Sequence, residues 1–139
     1  MAVALCVGTA DAGDPEIIHQ IKETILTIRT GDTVTDRTDA AERLALLTRE
    51  VDPKNIDDGT LADVVSLLDS PDESAYGRVA AALGFLGPRA KSAVPKLLSL
   101  LPLYDCLYLD LSPADAIRVA ITRIGEKAPP PPNCEPTDE

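Results

Sequence analysis

Two prolines seven residues apart interrupt the most regular apolar stretch of the chain, GFLGPRAKSAVPKLLSLL, which spans residues 84–101. Leucine, valine and alanine recur there at the three- and four-residue spacing of an amphipathic helix. Pro88 and Pro95 cannot both lie inside one helix, because proline lacks the backbone N–H and its ring clashes with the carbonyl four residues earlier. We therefore predict a corner between two helices, in which Gly87 is left-handed, Pro88 follows it and Pro95 lies in the first turn of the second helix.

The same spacing predicts six helices along the chain. Their apolar stripes begin at Ile17, Ala40, Leu61, Ala75, Ala90 and Ile117. Three of the six are preceded by Asp or Ser directly before a proline, at residues 14–15, 70–71 and 112–113. There the side chain can cap the helix, and the missing N–H of the proline is not needed. Aromatic residues make up only 3% of the 139 residues, so the sequence predicts one all-α domain rather than a β-sandwich.

The chain also repeats itself at an interval of 38 residues, which places apolar residues on apolar residues and Gly87 on Gly125. The stretch LLDSPDESAYGRVAAALGFLGPRAKSAVPKLLSLL, residues 67–101, resembles HEAT repeats of the phycobilin-lyase type. SPADAIRVAITRIGEKA, which follows it, resembles a looser second copy, and the resemblance is clearest over residues 60–128. It implies a short right-handed α-solenoid of three stacked antiparallel helix pairs, a fold that presents a binding surface rather than a particular reaction.

The two ends of the chain differ in composition from its middle. Residues 1–13 hold a short apolar run followed by Ala10-Asp11-Ala12, which has the small-x-small form of a signal-peptide cleavage site, although a basic segment before the run is missing. Residues 129–139 are rich in proline and acids. We predict a residual leader at 1–13, a single helical domain at 14–128, a tail at 129–139 and export to the periplasm. The apolar run is too short to span a bilayer.

Three cysteines occur in the chain, and two of them remain if Cys6 belongs to the leader. A last helix from residue 113 to 127 would be about 22 Å long. The proline-rich strut after it would run about 20 Å as polyproline helix. Folded back along that helix, the strut would return Cys134 to the loop that holds Cys106. We predict a disulfide between them, which suits an oxidising compartment, and two free thiols in a cytosolic protein are the alternative.

The formal net charge of −10 excludes some function classes. It repels phosphate backbones and anionic lipid surfaces, so we expect neither nucleic-acid binding nor membrane insertion, while a basic protein partner would be attracted. His19 is the only histidine, and no cysteine is spaced to form a metal site with it. The loop DPKNIDDG, residues 52–59, has Lys54 and Ile56 where a calcium loop needs oxygen ligands. The sequence therefore predicts no enzyme, no metal and no cofactor.

Three of the four aromatic residues fall in or beside the connections that join the first and second helix of each predicted pair. These connections lie at one edge of an antiparallel stack, together with several acids. Tyrosines are common interface anchors, and acids speed the capture of a basic partner. We predict a partner-binding edge composed of Tyr76, Tyr104, Tyr108, Asp36, Asp69, Asp72, Asp105 and Asp110. Two alternatives remain: the acids are only helix caps, or the binding surface is the groove of the second helices, where Arg43 or Arg78 would project.

An exported, acidic, single-domain helical protein is similar in size, compartment and charge to periplasmic immunity proteins. Such proteins block cell-wall-degrading toxins, for example peptidoglycan amidases delivered by type VI secretion. We therefore predict a protein-binding inhibitor with a basic partner. The alternative from a different class is a non-inhibitory HEAT scaffold, or a lyase-type protein that holds an assembly or a tetrapyrrole. The sequence leaves homodimerisation open.

Overall fold

The computed structural model of the protein describes residues 2–70, 72–106 and 112–134, with the backbone alone for residues 2–13. Within these ranges the chain is helical and has no β-strand, which confirms the predicted all-α class. The α-helices are α1 (Ala2–Thr30), α2 (Val34–Glu50), α3 (Asp58–Ser66), α4 (Tyr76–Phe85), α5 (Val94–Tyr104) and α6 (Ala114–Ile124). Short 3₁₀ segments lie at Pro53–Asn55, Leu67–Asp69, Glu73–Ala75 and Gly87–Ala93. None of the helices in the described ranges combines the length and apolar character that crossing a bilayer requires.

Helices α2, α4 and α6 pack side by side, with α4 between the other two. We call them the α2–α4–α6 layer. α1 packs on α2, α5 packs on α6, and α3 contacts α4. The core contains fully buried side chains from all six helices, among them Ile21, Leu44, Val64, Leu83, Leu97 and Ile117. Each of these belongs to one of the predicted apolar stripes or continues its helical spacing.

Small residues allow α4 and α6 to approach closely. Gly84 is buried, and a Cβ built on it would lie only 3.0 Å from the Cα of Ala120 on α6. Gly77 lies about two helical turns closer to the start of α4. A Cβ built on Gly77 would lie 3.9 Å from its nearest neighbours, which belong to Pro113 and Ala116. Since the side chains at the contact set the distance between packed helices, Gly84 and Ala120 fix the spacing of α4 and α6.

The corner between α4 and α5 has the predicted form. Gly87 has φ +60°, in the left-handed region, and a 3₁₀ segment leads from it to α5. Pro95 lies in the first turn of α5, where its missing N–H removes no helical hydrogen bond. Gly125 ends α6 in the same left-handed way, with φ +106°. The 38-residue interval of the sequence therefore relates two left-handed glycines, Gly87 after α4 and Gly125 after α6.

Three predicted helix boundaries are wrong. Ser70 caps no α-helix, because α4 begins only at Tyr76, after the 3₁₀ segment Glu73–Ala75, and the Ser70 hydroxyl accepts from the backbone N–H of Asp72 instead. α1 continues back to Ala2 through Pro15 instead of beginning there, although proline removes one helical hydrogen bond. Asp14 therefore caps no helix; its carboxylate accepts a hydrogen bond from the Asn55 amide at 2.5 Å. At the third boundary, α5 continues through Pro102 to Tyr104, one turn beyond the apolar stretch 84–101, which places Tyr104 in a helix rather than in a connection.

The two glycines of α4 give a matched test of the close helix contact. We expect Gly84→Ala to destabilise the protein by about 1–3 kcal/mol, because the new Cβ would meet the backbone of α6. Gly77→Ala has room for its Cβ, and we expect it to stabilise the protein by about 0.5–1 kcal/mol through helix propensity. Chemical denaturation of both variants measures the difference. Equal stabilisation by the two alanines would show that α4 and α6 are not in tight contact.

Candidate functional site

The connections of the predicted edge lie near one another in the structure. Arg37 of α2 donates from Nε to the Asp72 carboxylate, between α3 and α4, at 2.6 Å. A cleft of about 760 Å³ adjoins the starts of α4 and α6 and is lined by residues that include Thr38, Glu73 and Asp115. These contacts place the start of α2, the α3–α4 connection and the start of α6 beside one another. Tyr108 and Asp110, two of the predicted binding residues, lie outside the described residues.

Tyr76 and Tyr104 are core residues rather than exposed anchors. Their exposed fractions are 5% and 6%, and their rings meet edge to face with centroids 6.2 Å apart. Tyr104 is buried because α5 continues past Pro102 and places it on the same helix face as Leu97 and Leu101. Neither ring is presented to a partner, which corrects the expectation of an exposed aromatic cluster.

The two tyrosines differ in their hydroxyl groups. Tyr76 donates its O–H to the backbone carbonyl of Ser70. The Tyr104 hydroxyl is buried and has no hydrogen bond of normal geometry within the described part of the chain. Burial raises the pKa of Tyr104 to about 12, and the nearby Glu73 carboxylate adds to the effect. Burial likewise raises the pKa of Tyr76, again with a contribution from Glu73.

Three of the predicted acids are held by cations of the same chain. Asp72 accepts hydrogen bonds from the hydroxyl and backbone N–H of Ser74 and from Arg37, and its pKa is lowered, chiefly by the Ser74 hydroxyl and then by Arg37. Asp105 receives a two-pronged hydrogen bond from Arg118 at 2.7 and 2.8 Å. Asp69 pairs with Lys96. These carboxylates fasten the edge together, so less of their charge is free for a partner.

Asp36 differs from these acids because its carboxylate lines a cleft. The cleft is about 510 Å³, lies between α1 and α2, and holds four carboxylates and one arginine. Its charged lining residues are Glu23, Asp32, Asp36, Asp39 and Arg43. Arg43 reaches Gln20 of α1 at 3.3 Å. It therefore faces this cleft rather than the groove of the second helices, where the sequence placed it.

The tail returns to the end of α5, as the strut geometry predicted. The sulfurs of Cys106 and Cys134 lie at disulfide distance, with their Cα atoms 5.1 Å apart. Arg118 supports this arrangement, because its Nε donates to the carbonyl of Pro129 at 2.9 Å while its other nitrogens hold Asp105. The side-chain hydrogen bond with Asp105 is the main cause of the raised pKa of Arg118. A disulfide here would join the tail covalently to the end of α5, and its presence in purified protein stays a prediction.

A second surface lies on the solvent side of the α2–α4–α6 layer. We call it the open face and define it by Glu42, Leu46, Arg49, Arg78, Ala81, Phe85, Ala116, Val119 and Arg123. On each helix these residues are three or four apart, so they share one side of that helix. Leu46 is 53% exposed and Val119 48% exposed, and the half-buried Ala81 occupies the corresponding turn of α4. The open face therefore exposes an apolar row that crosses three helices.

Phe85 joins the three helices beside that row. The guanidinium carbon of Arg49, from α2, lies 5.3 Å from the centre of the Phe85 ring, and that of Arg123, from α6, lies 4.9 Å from it. Both are cation–π distances. For the groove of the second helices the sequence analysis named only Arg43 and Arg78. It did not identify Arg49 and Arg123, the two arginines that stack on Phe85. Phe85 and Arg123 are 38 residues apart, so the repeat interval could have shown that they occupy equivalent positions.

Comparison of the chain with protein-family models, with curated proteins and with solved structures gives no match in any of the three. The relation to HEAT repeats is therefore a resemblance carried by the residues quoted above.

The two buried tyrosines predict opposite responses to loss of the hydroxyl. Tyr76→Phe leaves the Ser70 carbonyl without its donor, and we expect a loss of about 0.5–1.5 kcal/mol of stability. Tyr104→Phe removes a buried group that lacks a normal hydrogen bond, and we expect an unchanged or higher stability. Chemical denaturation at neutral pH measures both variants.

Alkaline pH gives a second readout on Tyr104. The folded-state pKa is raised to about 12 from an unfolded value of about 10. The unfolded chain therefore ionises first, so the free energy of unfolding is unchanged by this titration below pH 10 and falls as the pH rises from 10 toward 12. Tyr104→Phe should lose less stability than the wild type over that interval. Equal losses in the two proteins would show that the pKa of Tyr104 is not raised in the folded state. Destabilisation by Tyr104→Phe at neutral pH would show that the hydroxyl has a partner.

Proposed function

We propose that this protein is a protein-binding inhibitor that contacts its partner through the open face. The observation that carries the proposal is the exposed apolar row of Leu46 and Val119 beside Phe85 and its two arginines. Exposed apolar groups that lie together on a surface are typical of docking sites. Interfaces are also enriched in aromatic residues and arginine relative to the rest of a protein surface.

The proposed arrangement of the helices is a short right-handed α-solenoid of HEAT type. Its three pairs are α1 with α2, α3 with α4, and α5 with α6. The side-by-side packing of α2, α4 and α6 supports this proposal, as do the left-handed glycines 38 residues apart, Gly87 and Gly125. Solenoids present an extended surface formed by equivalent elements of successive repeats, which is how the open face is built.

Charge and cysteine geometry support the compartment and the kind of partner. The chain has 23 acidic and 13 basic side chains, and the cleft around Asp36 concentrates four of the acids beside the α1–α2 connection. Such a field attracts a basic protein and speeds its association. A Cys106–Cys134 disulfide suits the periplasm. We propose that the partner is a cell-wall-degrading toxin and that the protein protects the cell that makes it.

Two pairs of exposed leucines and valines allow a controlled test. Leu46→Glu/Val119→Glu places charges on the apolar row of the open face. Leu26→Glu/Leu103→Glu places the same number of charges on α1 and α5, at residues that are 60% and 63% exposed. The partner is captured with wild-type protein from the cell envelope of the source organism, identified by mass spectrometry, purified and assayed for peptidoglycan hydrolysis.

We expect wild-type protein and the α1/α5 variant to inhibit hydrolysis at one equivalent. We expect the open-face variant to need at least tenfold more protein, because buried charge at an interface is costly. The proposal is wrong if the captured protein keeps its activity when saturated with wild type. It is also wrong if the α1/α5 variant loses inhibition while the open-face variant keeps it.

A further inference from the structure

Two guanidinium groups share one aromatic ring on the open face. Arg49 and Arg123 each lie about 5 Å from the centre of Phe85, so their charges are at most about 10 Å apart, a distance near one Debye length at physiological salt. Attraction to the ring holds each cation in place. Repulsion between the two cations is only partly screened at this distance. An anion that binds beside either guanidinium would offset that repulsion.

Half of the eight arginines pair with an acid of the same chain in the described residues, and Arg49 and Arg123 belong to the half that does not. Four arginines have carboxylate partners of this chain at 3.7 Å or less, namely Arg29, Arg37, Arg89 and Arg118. In the described part of the chain no carboxylate lies within ion-pair distance of Arg49 or Arg123. Acidic side chains outnumber basic ones by 23 to 13. Although the chain has an excess of acidic side chains, none of those described pairs with Arg49 or Arg123, so these two cations can bind an external anion.

We propose that Arg49 and Arg123 form a carboxylate-binding site, which receives an Asp or Glu side chain from an acidic segment of the partner protein. Arginine forms paired hydrogen bonds with a carboxylate in the plane of its guanidinium. The apolar neighbours of that acid pack on Leu46, Ala81 and Val119. This inference rests on the proposed function, since it names the part of the partner that the open face binds.

The surroundings of the site favour a peptide segment that has one carboxylate between apolar side chains. They disfavour a ligand with many negative charges. The apolar row lies one helical turn from the arginines, so a bound segment must carry apolar side chains beside its charge. The net charge of −10 repels a ligand with many phosphates. A partner that is basic overall meets neither obstacle when it presents one local acid.

The test uses the full chain and two peptides that differ only in charge. Acetyl-Ala-Glu-Leu-Glu-Ala-amide is titrated into ¹⁵N-labelled protein, and acetyl-Ala-Gln-Leu-Gln-Ala-amide is the neutral control. The arginine Nε–Hε signals report on each guanidinium. We expect saturable shifts at Arg49 and Arg123 with the Glu peptide, and a dissociation constant at least tenfold lower than for the Gln peptide, because hydrogen bonds between charged groups are the stronger ones.

Matched variants separate this site from general charge attraction. Arg49→Gln/Arg123→Gln should remove the preference for the Glu peptide. Arg49→Lys/Arg123→Lys should weaken it, because lysine keeps the charge but loses the planar fork. Arg43→Gln, which removes an arginine outside the open face that has no ion pair in the described residues, should leave the preference unchanged. Thermal melts of each variant confirm that the fold is retained.

Three outcomes would overturn the inference: equal shifts with both peptides, loss of the preference in Arg43→Gln, or tighter binding of inorganic phosphate than of the Glu peptide. The inhibition assay distinguishes this failure from failure of the proposed function. If Arg49→Gln/Arg123→Gln inhibits as well as wild type while Leu46→Glu/Val119→Glu does not, the function stands and the carboxylate site fails. If the peptides behave as expected and no captured partner is inhibited, the carboxylate site stands and the function fails.

Discussion

The distance between α4 and α6 determines both the core and the open face. At Gly84 the two helices are so close that an added Cβ would touch the backbone of Ala120. The same added atom would lie 3.5 Å from the Cδ of Arg123. Gly84 is followed by Phe85 in the chain, so the close contact also brings the Arg123 guanidinium over the Phe85 ring. A wider spacing of α4 and α6 would separate Arg123 from Phe85. The stacking of these two side chains therefore depends on the small residues buried beneath them, Gly84 and Ala120.

A different set of contacts holds the opposite end of the layer. Arg118 joins α6 to the end of α5 through Asp105 and to the tail through Pro129. Arg37 joins α2 to the start of α4 through Asp72. The acids that suggested a binding edge are therefore mostly structural, since they tie helices and tail together. Asp36 and the cleft beside it remain the part of that edge with several carboxylates facing solvent.

Local features of the sequence predicted much of the fold because they act over a few residues. Helical spacing gave the apolar stripes, and glycine with two prolines gave the corner at residues 84–95, because each of these residues restricts the backbone at its own position. The approach of Cys134 to Cys106 followed from the lengths of one helix and one polyproline strut. The α-solenoid itself and its handedness stay proposals, because helical spacing alone does not determine how helix pairs stack.

Features that depend on contacts between helices could not be predicted from the sequence. Tyr104 was expected in a connection at the surface, yet a proline in the last turn costs only one hydrogen bond. The helix continues past Pro102 and places Tyr104 in the core. The stacking of Arg49 on Phe85 requires the relative register of α2 and α4, which no local rule supplies. Arg43 was assigned to the wrong groove for the same reason, since its side of α2 faces α1.

The central claim is that the open face, and not the acidic edge, contacts the partner. Hydroxyl-radical footprinting of the protein, free and bound to its captured partner, tests this claim directly because leucine and phenylalanine side chains report their own exposure. The account predicts that Leu46 and Phe85 become protected on binding, while Leu26 and Leu103 react as they do in the free protein. Unchanged reactivity of Leu46 and Phe85, with protection confined to residues 31–39 and 112–115, would contradict it.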